Sequence, residues 1–215
     1  MVASQRIRLY QLCHGYHISD IDMISLNKAS NTCLVLDDSR SDSSREAELV
    51  VCLGPGANSR ICEELSDTEL LAKCIVGYAL GIDLTKRDVQ AKAKSMRRPW
   101  EESKAFDHSA LIGPIYPMVG ALPWDRALLC LKTNGEVRQQ STLDKMIWPV
   151  VDIIKYIAER NEIAPGDMIY TGTPAGVGQL KIGDLCEVEL VDKDEANTPI
   201  IAGIECSMRL TQSLQ

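Results

Sequence analysis

Short apolar runs and alternating apolar positions dominate this chain, and such patterns are typical of β-strands. They predict six strand segments: 46–53, 75–84, the two arms of a hairpin within 127–140, 185–191 and 200–210. The hairpin is marked by Asn134-Gly135, because this dipeptide favours the positive φ angles of a tight turn. Gly54-Pro55-Gly56 ends the first segment.

Three other segments carry helical signals. Ser66 and Glu69 have the spacing of a capping box and predict the start of a short helix. Residues 86–96, rich in Lys, Ala and Gln, suit a second helix. The clearest helix is predicted at 149–160, where apolar residues recur at helical spacing after Pro149. Because strands outnumber helices and regular βαβ repetition is missing, we expect an antiparallel or mixed sheet with peripheral helices.

The composition of the chain restricts the classes of binding partner that it can have. The 215 residues suffice for one domain, and 45% hydrophobic with 25% charged residues is the balance of a globular protein. The net charge of -7 disfavours nucleic acid or a membrane as partner, since both call for a cationic surface. No apolar run approaches the roughly 20 residues of a membrane span.

The eight cysteines stand apart, and the lack of a CxxC pair disfavours a zinc ribbon or a thioredoxin-type motif. Several lie in apolar runs, where a buried thiol acts as a small hydrophobe: Cys52, Cys74, Cys130 and Cys206. We therefore expect reduced cysteines in an intracellular protein, cytoplasmic or mitochondrial rather than secreted.

Glu46 and Glu48 open the first predicted strand and point to the same face of it. On a surface strand they would simply be solvated. Here Leu49–Leu53 follow, largely without polar residues, so the strand is expected to be buried on both faces. Two carboxylates entering a buried strand call for a cation, and ligands that are all oxygen suit Mg²⁺, Mn²⁺ or Ca²⁺.

Asp83 ends the apolar run 74–82 and is a third candidate ligand. A carboxylate in this position is also a common N-cap for the next helix. Thr85 and Asp88 are rival candidates for that cap.

Four segments in the chain resemble signatures of the fumarylacetoacetate hydrolase family, in the family's order: Glu46-Ala47-Glu48, residues 77–90, residues 103–107 and the loop 170–178. The resemblance runs from about residue 44 to the C-terminus and is strongest to the single-domain acylpyruvase and oxaloacetate decarboxylase branch. It implies an α+β, mainly β fold, a mixed-β roll or sandwich with peripheral helices. It also implies one catalytic domain over 1–215, with a divergent, shortened 1–45 before a core of 46–215, and a homodimer.

The resemblance also implies roles for particular residues. Three carboxylates would hold one Mg²⁺ ion: Glu46, Glu48 and Asp83. The ion would stabilise the enolate of a small 2-oxo acid or β-diketo acid. Lys104 would balance developing negative charge, and Thr173 would bind the substrate carboxylate. Arg87 and Gln90 would contact the far end of the substrate, although Arg87 is equally open to pairing with a surface acid.

The N-terminal segment departs from the family pattern. Hydrolytic members have a His-x-x-Glu pair there that activates water. With one alignment the corresponding positions hold Ser19 and Asp22, and the pair is lost. With a two-residue deletion, His17 and Asp20 keep the spacing and would act as base and orienting acid. Alternatively, His17 is an ordinary loop histidine.

Three functions follow from the resemblance. The first is Mg²⁺-dependent cleavage of a C–C bond, either hydrolysis of an acylpyruvate or decarboxylation of oxaloacetate. The second is isomerase or tautomerase activity of the 2-hydroxyhepta-2,4-diene-1,7-dioate type, which needs an enolate but no activated water. The third is a pseudoenzyme that binds metal and 2-oxo acids without turnover.

Overall fold

The computed structural model describes residues 9–11, 32–36, 43–106, 109–117, 122–181, 183–195 and 198–210. For 9–11, 32–36 and 201–210 the backbone alone is described. Within these ranges the strands are β1 Leu9–Gln11, β2 Thr32–Leu36, β3 Ser43–Leu53, β4 Ile75–Lys86, β5 Ala110–Ile112, β6 Tyr116–Pro117, β7 Ala127–Thr133, β8 Glu136–Thr142, β9 Met168–Tyr170, β10 Gly178–Gln179, β11 Leu185–Asp192 and β12 Thr198–Leu210. The α-helices are α1 Ser59–Glu64, α2 Asp67–Cys74, α3 Arg87–Ser95 and α4 Val150–Ala158, and short 3₁₀ helices cover Glu101–Ser103 and Leu143–Lys145.

The strands form two sheets. The first has the order β1-β9-β3-β4-β5, with β10 paired to β3 and β6 paired to β4. The second has the order β2-β12-β11-β7-β8. β1 runs parallel to β9 and β2 parallel to β12, whereas β3 and β4 form a long antiparallel ladder. The expected mainly-β architecture with mixed sheets and peripheral helices is confirmed.

β3 is buried on both faces, as its sequence indicated. Its residues Ala47, Leu49, Val51 and Leu53 belong to the main core, which also contains residues of the second sheet: Leu129, Leu131, Val188 and Leu190. On the other face, Val50 and Cys52 pack with Ala79, Ile112 and Tyr170 in a smaller cluster. Because side chains alternate along a strand, Glu46 and Glu48 share the face of this smaller cluster.

Most predicted elements appear within a few residues of their expected bounds. Asn134 and Gly135 have φ angles of 52° and 80°, as a tight hairpin turn requires. Ser66 and Glu69 form the expected capping box: the Ser66 backbone N–H donates to Glu69 Oε2 at 3.3 Å, and the Ser66 hydroxyl donates to the same oxygen at 2.7 Å. Helix α4 begins after Pro149 and buries the apolar face that defined it, including Ile153, Ile154 and Ile157.

The alternative that Asp83, Thr85 or Asp88 is the N-cap of the next helix is wrong. Strand β4 continues to Lys86, and Asp83 is paired across the ladder with Glu46. Lys86, and not Asp83, is the N-cap residue of α3. The strand runs on because Leu84 and Thr85 are also buried and paired with β3. Asp83 therefore lies inside a ladder and not at a helix terminus.

Gly81 shows why one position of the 77–90 segment must lack a side chain. A Cβ atom at Gly81 would lie 2.5 Å from Cε1 of Tyr170, well inside contact distance. The Tyr170 ring is fully buried, and its hydroxyl donates to the Leu111 carbonyl at 2.7 Å. Gly81 therefore leaves room for the Tyr170 side chain to reach from β9 over β3 to the part of β4 that carries Asp83.

The described cysteines fit the expectation of reduced core residues, because they are free and buried: Cys52, Cys62, Cys74, Cys130 and Cys186. In the part of the chain that the structure describes, no helix is long and apolar enough to cross a membrane.

Candidate metal centre

The register of β3 and β4 brings three carboxylates together. Glu46 lies opposite Asp83, and Glu48 projects from the same face of β3 two residues further on. One oxygen of each carboxylate lies within 4.8 Å of the other two. The exposed fractions are only 9%, 3% and 1% for Glu46, Glu48 and Asp83. Such a cluster of buried oxygen ligands fits a hard divalent cation.

Lys104 lies at the base of this cluster. It follows the 3₁₀ helix Glu101–Ser103 and is itself buried. Its Nζ donates to Glu46 Oε2 at 2.8 Å and also to Asp83 Oδ2. Burial lowers the pKa of Lys104, but the charges and hydrogen bonds of Asp83 and Glu46 outweigh this and raise its pKa overall. Lys104 therefore keeps its proton at neutral pH.

Arg87 supplies a second cation from the first turn of α3. Its Nη2 donates to Glu46 Oε1 at 2.6 Å, and its Nε donates to the Ser44 hydroxyl at 2.6 Å. Gln90, one helical turn later, accepts from Arg87 Nη1 at 2.9 Å. Arg87 therefore pairs with a buried carboxylate of the triad and not with a surface acid, and Gln90 orients it.

Glu48 lies in a different electrostatic environment from Glu46. Its Oε2 accepts a hydrogen bond from the backbone N–H of Gly172 at 2.7 Å. Burial and the neighbouring Asp83 charge raise the pKa of Glu48 well above its ordinary value, although the Gly172 bond opposes this. With all three carboxylates ionised, the two cations Arg87 and Lys104 would leave one net negative charge in the buried site, and this repulsion contributes to the raised pKa of Glu48. A divalent ion would make the site net positive and relieve this repulsion.

Among the described residues, β3 has no strand partner beside the triad on its edge away from β4. β10 pairs with β3 at Ser44 and Arg45, and β9 pairs with it from Val50 to Cys52. Between these pairs lies the loop 171–177, which connects β9 to β10. The Thr171 backbone N–H and hydroxyl both donate to the Leu49 carbonyl, at 3.1 and 2.9 Å. The loop thus takes the place of a strand where the candidate metal ligands lie.

Gln139 completes this edge and was missed by sequence reasoning. It lies on β8 in the second sheet, yet its Oε1 accepts from the Ala47 backbone N–H at 3.0 Å. Its Nε2 donates to Thr173 Oγ1 and to the Pro174 carbonyl, both at 2.8 Å. Residues around Gln139 are polar and mostly exposed, so the sequence offers no periodic signal for its burial.

Thr173 is held within the same network. Its hydroxyl accepts from Gln139 Nε2 and donates to the Ala47 carbonyl at 2.8 Å. Since a hydroxyl has a single hydrogen, that donor is used within the fold. Any hydrogen bond from Thr173 to a substrate carboxylate would then come from its backbone N–H.

A cleft of about 1060 Å³ opens above the triad. It brings together all the described residues for which the sequence predicted a role: Glu46, Glu48, Asp83, Arg87, Gln90, Lys104 and Thr173. The remaining two, His17 and Asp20, lie outside the described residues. The rim carries apolar side chains that the sequence did not assign to the site, including Ile147 and Trp148, which are 87% and 59% exposed.

Fold and site together define a β-rich protein with a buried, all-oxygen site for a divalent cation. The family model described as fumarylacetoacetate (FAA) hydrolase C-terminal matches residues 24–205, and the chain belongs to this family.

Curated relatives and solved structures agree with this assignment. The chain is 39% identical over 140 residues to a fumarylpyruvate hydrolase of Ralstonia sp, covering 65% of this chain and 69% of the relative. It is 40% identical over 146 residues to the oxaloacetate tautomerase YcgM of Escherichia coli, covering 65% of this chain and 61% of the relative, less than two thirds of its length. The fumarylpyruvate hydrolase structure from Pseudomonas aeruginosa, in complex with Mn²⁺ and pyruvate, is 33% identical, covers 85% of this chain and 72% of that one, and has a TM-score of 0.71.

Proposed function

We propose that this protein is a divalent-metal-dependent enzyme that cleaves a C–C bond in a small 2-oxo acid. The observation that carries the proposal is the buried triad of Glu46, Glu48 and Asp83 with Lys104 at its base and a cleft above it. The Mn²⁺ and pyruvate named for the Pseudomonas aeruginosa structure support both the ion and the substrate class.

The three carboxylates are proposed as the metal ligands. Mg²⁺ is our choice among divalent ions, because it is commonly held by a few carboxylates and keeps its other positions for water and substrate. When bound, the ion supplies Lewis-acid chemistry, polarising the 2-oxo group of the substrate. The carboxylates fit this role because their charges are only partly offset by Arg87 and Lys104.

Lys104 is proposed to stabilise the negative charge that develops on the substrate as the bond breaks. Its raised pKa keeps it cationic, and its burial strengthens the electrostatic effect. Arg87 and Gln90 are proposed to contact the substrate from α3. The substrate carboxylate would accept from the backbone N–H of Thr173, because the hydroxyl of Thr173 already donates to Ala47.

Two reactions share this arrangement. Acylpyruvate hydrolysis consumes one water molecule and yields pyruvate and a carboxylic acid. Oxaloacetate decarboxylation consumes one proton and yields pyruvate and CO₂. Only the hydrolysis needs an activated water, and His17 with Asp20 remain our proposal for that step. Loss of hydrolysis in His17→Ala, with decarboxylation retained, would support it.

A tautomerase is the second candidate, favoured by the similarity to the oxaloacetate tautomerase of Escherichia coli. Tautomerisation moves one proton between carbon and oxygen and needs no activated water. The metal triad and Lys104 would stabilise the enolate of this reaction as they would the enolate of C–C cleavage. Product analysis separates the two candidates, since tautomerisation releases neither CO₂ nor pyruvate.

The test is ultraviolet-monitored depletion of oxaloacetate and of a small acylpyruvate panel, with Mg²⁺, with Mn²⁺ and with a chelator. Glu48→Gln should abolish metal-dependent turnover, and Glu64→Gln, at an exposed position of α1, should leave it unchanged. Absence of turnover on every substrate, with Mn²⁺ still bound, would favour the tautomerase or the metal-binding pseudoenzyme and contradict C–C cleavage.

A further inference from the structure

In the part of the chain that the structure describes, no strand pairs with β3 at the edge beside Ala47, the residue between two candidate metal ligands. Its N–H and carbonyl point away from β4, toward the gap between β9 and β10. A buried backbone group without a partner costs roughly 1–3 kcal/mol, so both need hydrogen bonds. Neither partner is a backbone group: Gln139 accepts from the N–H, and Thr173 donates to the carbonyl.

These bonds close a ring. Ala47 N–H donates to Gln139, Gln139 donates to Thr173, and Thr173 donates back to the Ala47 carbonyl. Gln139 is 1% exposed, and its second N–H is fixed by the Pro174 carbonyl at 2.8 Å. A flipped amide would leave Ala47 N–H facing another donor, so only one orientation satisfies all three partners.

We infer that Gln139 is a positioning residue, which sets the distance between the part of β3 that carries Glu46 and Glu48 and the loop 171–177. It does not line the cleft, and it reaches the site from the second sheet, where β8 is anchored independently of β3. One contact holds the backbone midway between Glu46 and Glu48, and the other two hold the residues that follow Gly172. The inference rests on the proposed function, because it assigns metal affinity and substrate binding to this spacing.

The loop 171–177 also contacts β8 at a second point. Gly176 has a φ of 102°, and its Cα approaches β8 so closely that a Cβ would lie 2.1 Å from the Arg138 carbonyl oxygen. The loop is therefore held by residues adjacent in β8, at Arg138 through close packing and at Gln139 through hydrogen bonds. A change at Gln139 should shift the loop relative to β3 without detaching it.

The test compares Gln139→Leu with Gln140→Leu. Gln140 is the next residue on β8 but is exposed, so it controls for effects on the strand itself. We expect Gln139→Leu to raise the Kd for Mn²⁺, measured by the electron paramagnetic resonance of the free ion, by about tenfold or more. We also expect a similar rise in KM for the 2-oxo acid and a smaller change in kcat. Gln140→Leu should leave all three within about twofold.

A purely structural role for Gln139 makes a different prediction. Gln139→Leu would then lower the melting temperature of the metal-free protein but leave the Mn²⁺ Kd and KM of the folded fraction unchanged. That result would overturn the inference. Failure of the unmodified protein to bind Mn²⁺ or turn over any 2-oxo acid would instead refute the proposed function, and the inference with it.

Gln139→Glu provides a second variant if the leucine variant does not fold. Its carboxylate can still accept from Ala47 N–H but cannot donate to Thr173 or Pro174. We expect KM to rise about tenfold or more, with a smaller rise in the Mn²⁺ Kd, because the loop is released while β3 stays held. A KM and a Mn²⁺ Kd that are both the same as in the unmodified protein would again contradict the inference.

Discussion

The two sides of the carboxylate triad differ in how they compensate the buried negative charge. On the cationic side, formed by Arg87 and Lys104, Glu46 accepts hydrogen bonds from two charged groups. On the loop side, formed by residues 171–177, Glu48 accepts from one backbone N–H. The cationic side therefore stabilises the site without a metal ion. The loop side leaves Glu48 undercompensated, and this is where a divalent cation contributes most.

The largest effect should come from removing the cationic side. Lys104→Met leaves Glu46 and Asp83 buried without their shared ammonium group. Removal of one partner of a buried ion pair costs about 3–5 kcal/mol, so the unfolding free energy of the metal-free protein should fall by this amount. Turnover should fall by about 10²–10³ or more. Urea unfolding and steady-state kinetics measure the two effects.

Lys92→Met is the matched control for this variant, since Lys92 is exposed on α3. It should change stability by no more than about 0.5 kcal/mol. Retention of full metal-free stability by Lys104→Met would mean that the two carboxylates do not depend on the ammonium group. The contrast between the two sides would then fail.

Glu46→Gln and Glu48→Gln test the contrast directly, because they make the same change two residues apart on one strand face. Glu46→Gln breaks two ion pairs and should destabilise the metal-free protein by about 2–3 kcal/mol. Glu48→Gln removes a carboxylate that its surroundings repel, keeps an acceptor for Gly172, and should leave metal-free stability unchanged or higher. Both should weaken Mn²⁺ binding by about tenfold or more. Thermal melts with and without Mn²⁺ report both quantities, and the same sign of stability change in both variants would contradict the contrast.

The loop side depends on backbone geometry, which Gly176→Ala tests. A side chain there meets the strained φ of 102° and the Arg138 carbonyl at 2.1 Å, so the loop must move away from β8. We expect a loss of about 1–3 kcal/mol in stability and a rise in KM larger than the fall in kcat. Gly135→Ala is the control, because its φ is also positive, at 80°, but a Cβ there meets open space. A rise in KM of equal size in both variants would show that backbone strain alone, and not the loop position, is responsible.

The same division explains what the sequence could predict. The candidate ligands Glu46 and Glu48 were predicted from their spacing on a strand. Arg87 and Lys104, which form the cationic side, and Gln90 were predicted from the resemblance of their segments to the family. Local sequence is sufficient to point to such residues, since each lies in a short segment with a recognisable pattern. Asp83 was a candidate both for a metal ligand and for a helix N-cap, because a carboxylate after an apolar run is common in either setting, and its place inside the β3–β4 ladder excludes the N-cap.

The loop side could not be predicted in this way. The role of Gln139 arises from a gap in the β3 ladder, and such a gap depends on which strands pair, not on local composition. A buried glutamine in a hairpin arm has the same sequence signal as an exposed one. Thr173 was likewise expected to bind the substrate carboxylate, whereas the fold uses the hydrogen of its hydroxyl for the Ala47 carbonyl. Tertiary pairing, not residue type, decides which polar groups remain free to act.

The smallest expected effect concerns Cys52, which lies on the same face of β3 as Glu46 and Glu48 but beyond the open cleft. Burial raises the pKa of Cys52 from 9.0 to about 12, so its thiolate fraction at neutral pH falls by roughly 10³. Burial disfavours the charged thiolate, which raises the pKa of this acid. The thiol should therefore not react with alkylating reagents until the pH approaches this value or the protein unfolds. Iodoacetamide labelling followed by peptide mass spectrometry should find Cys52 unmodified in the folded protein and modified in urea. Rapid labelling of the folded protein would show that solvent reaches this part of the strand face as it reaches the metal centre. The cleft would then extend along β3 as far as Cys52.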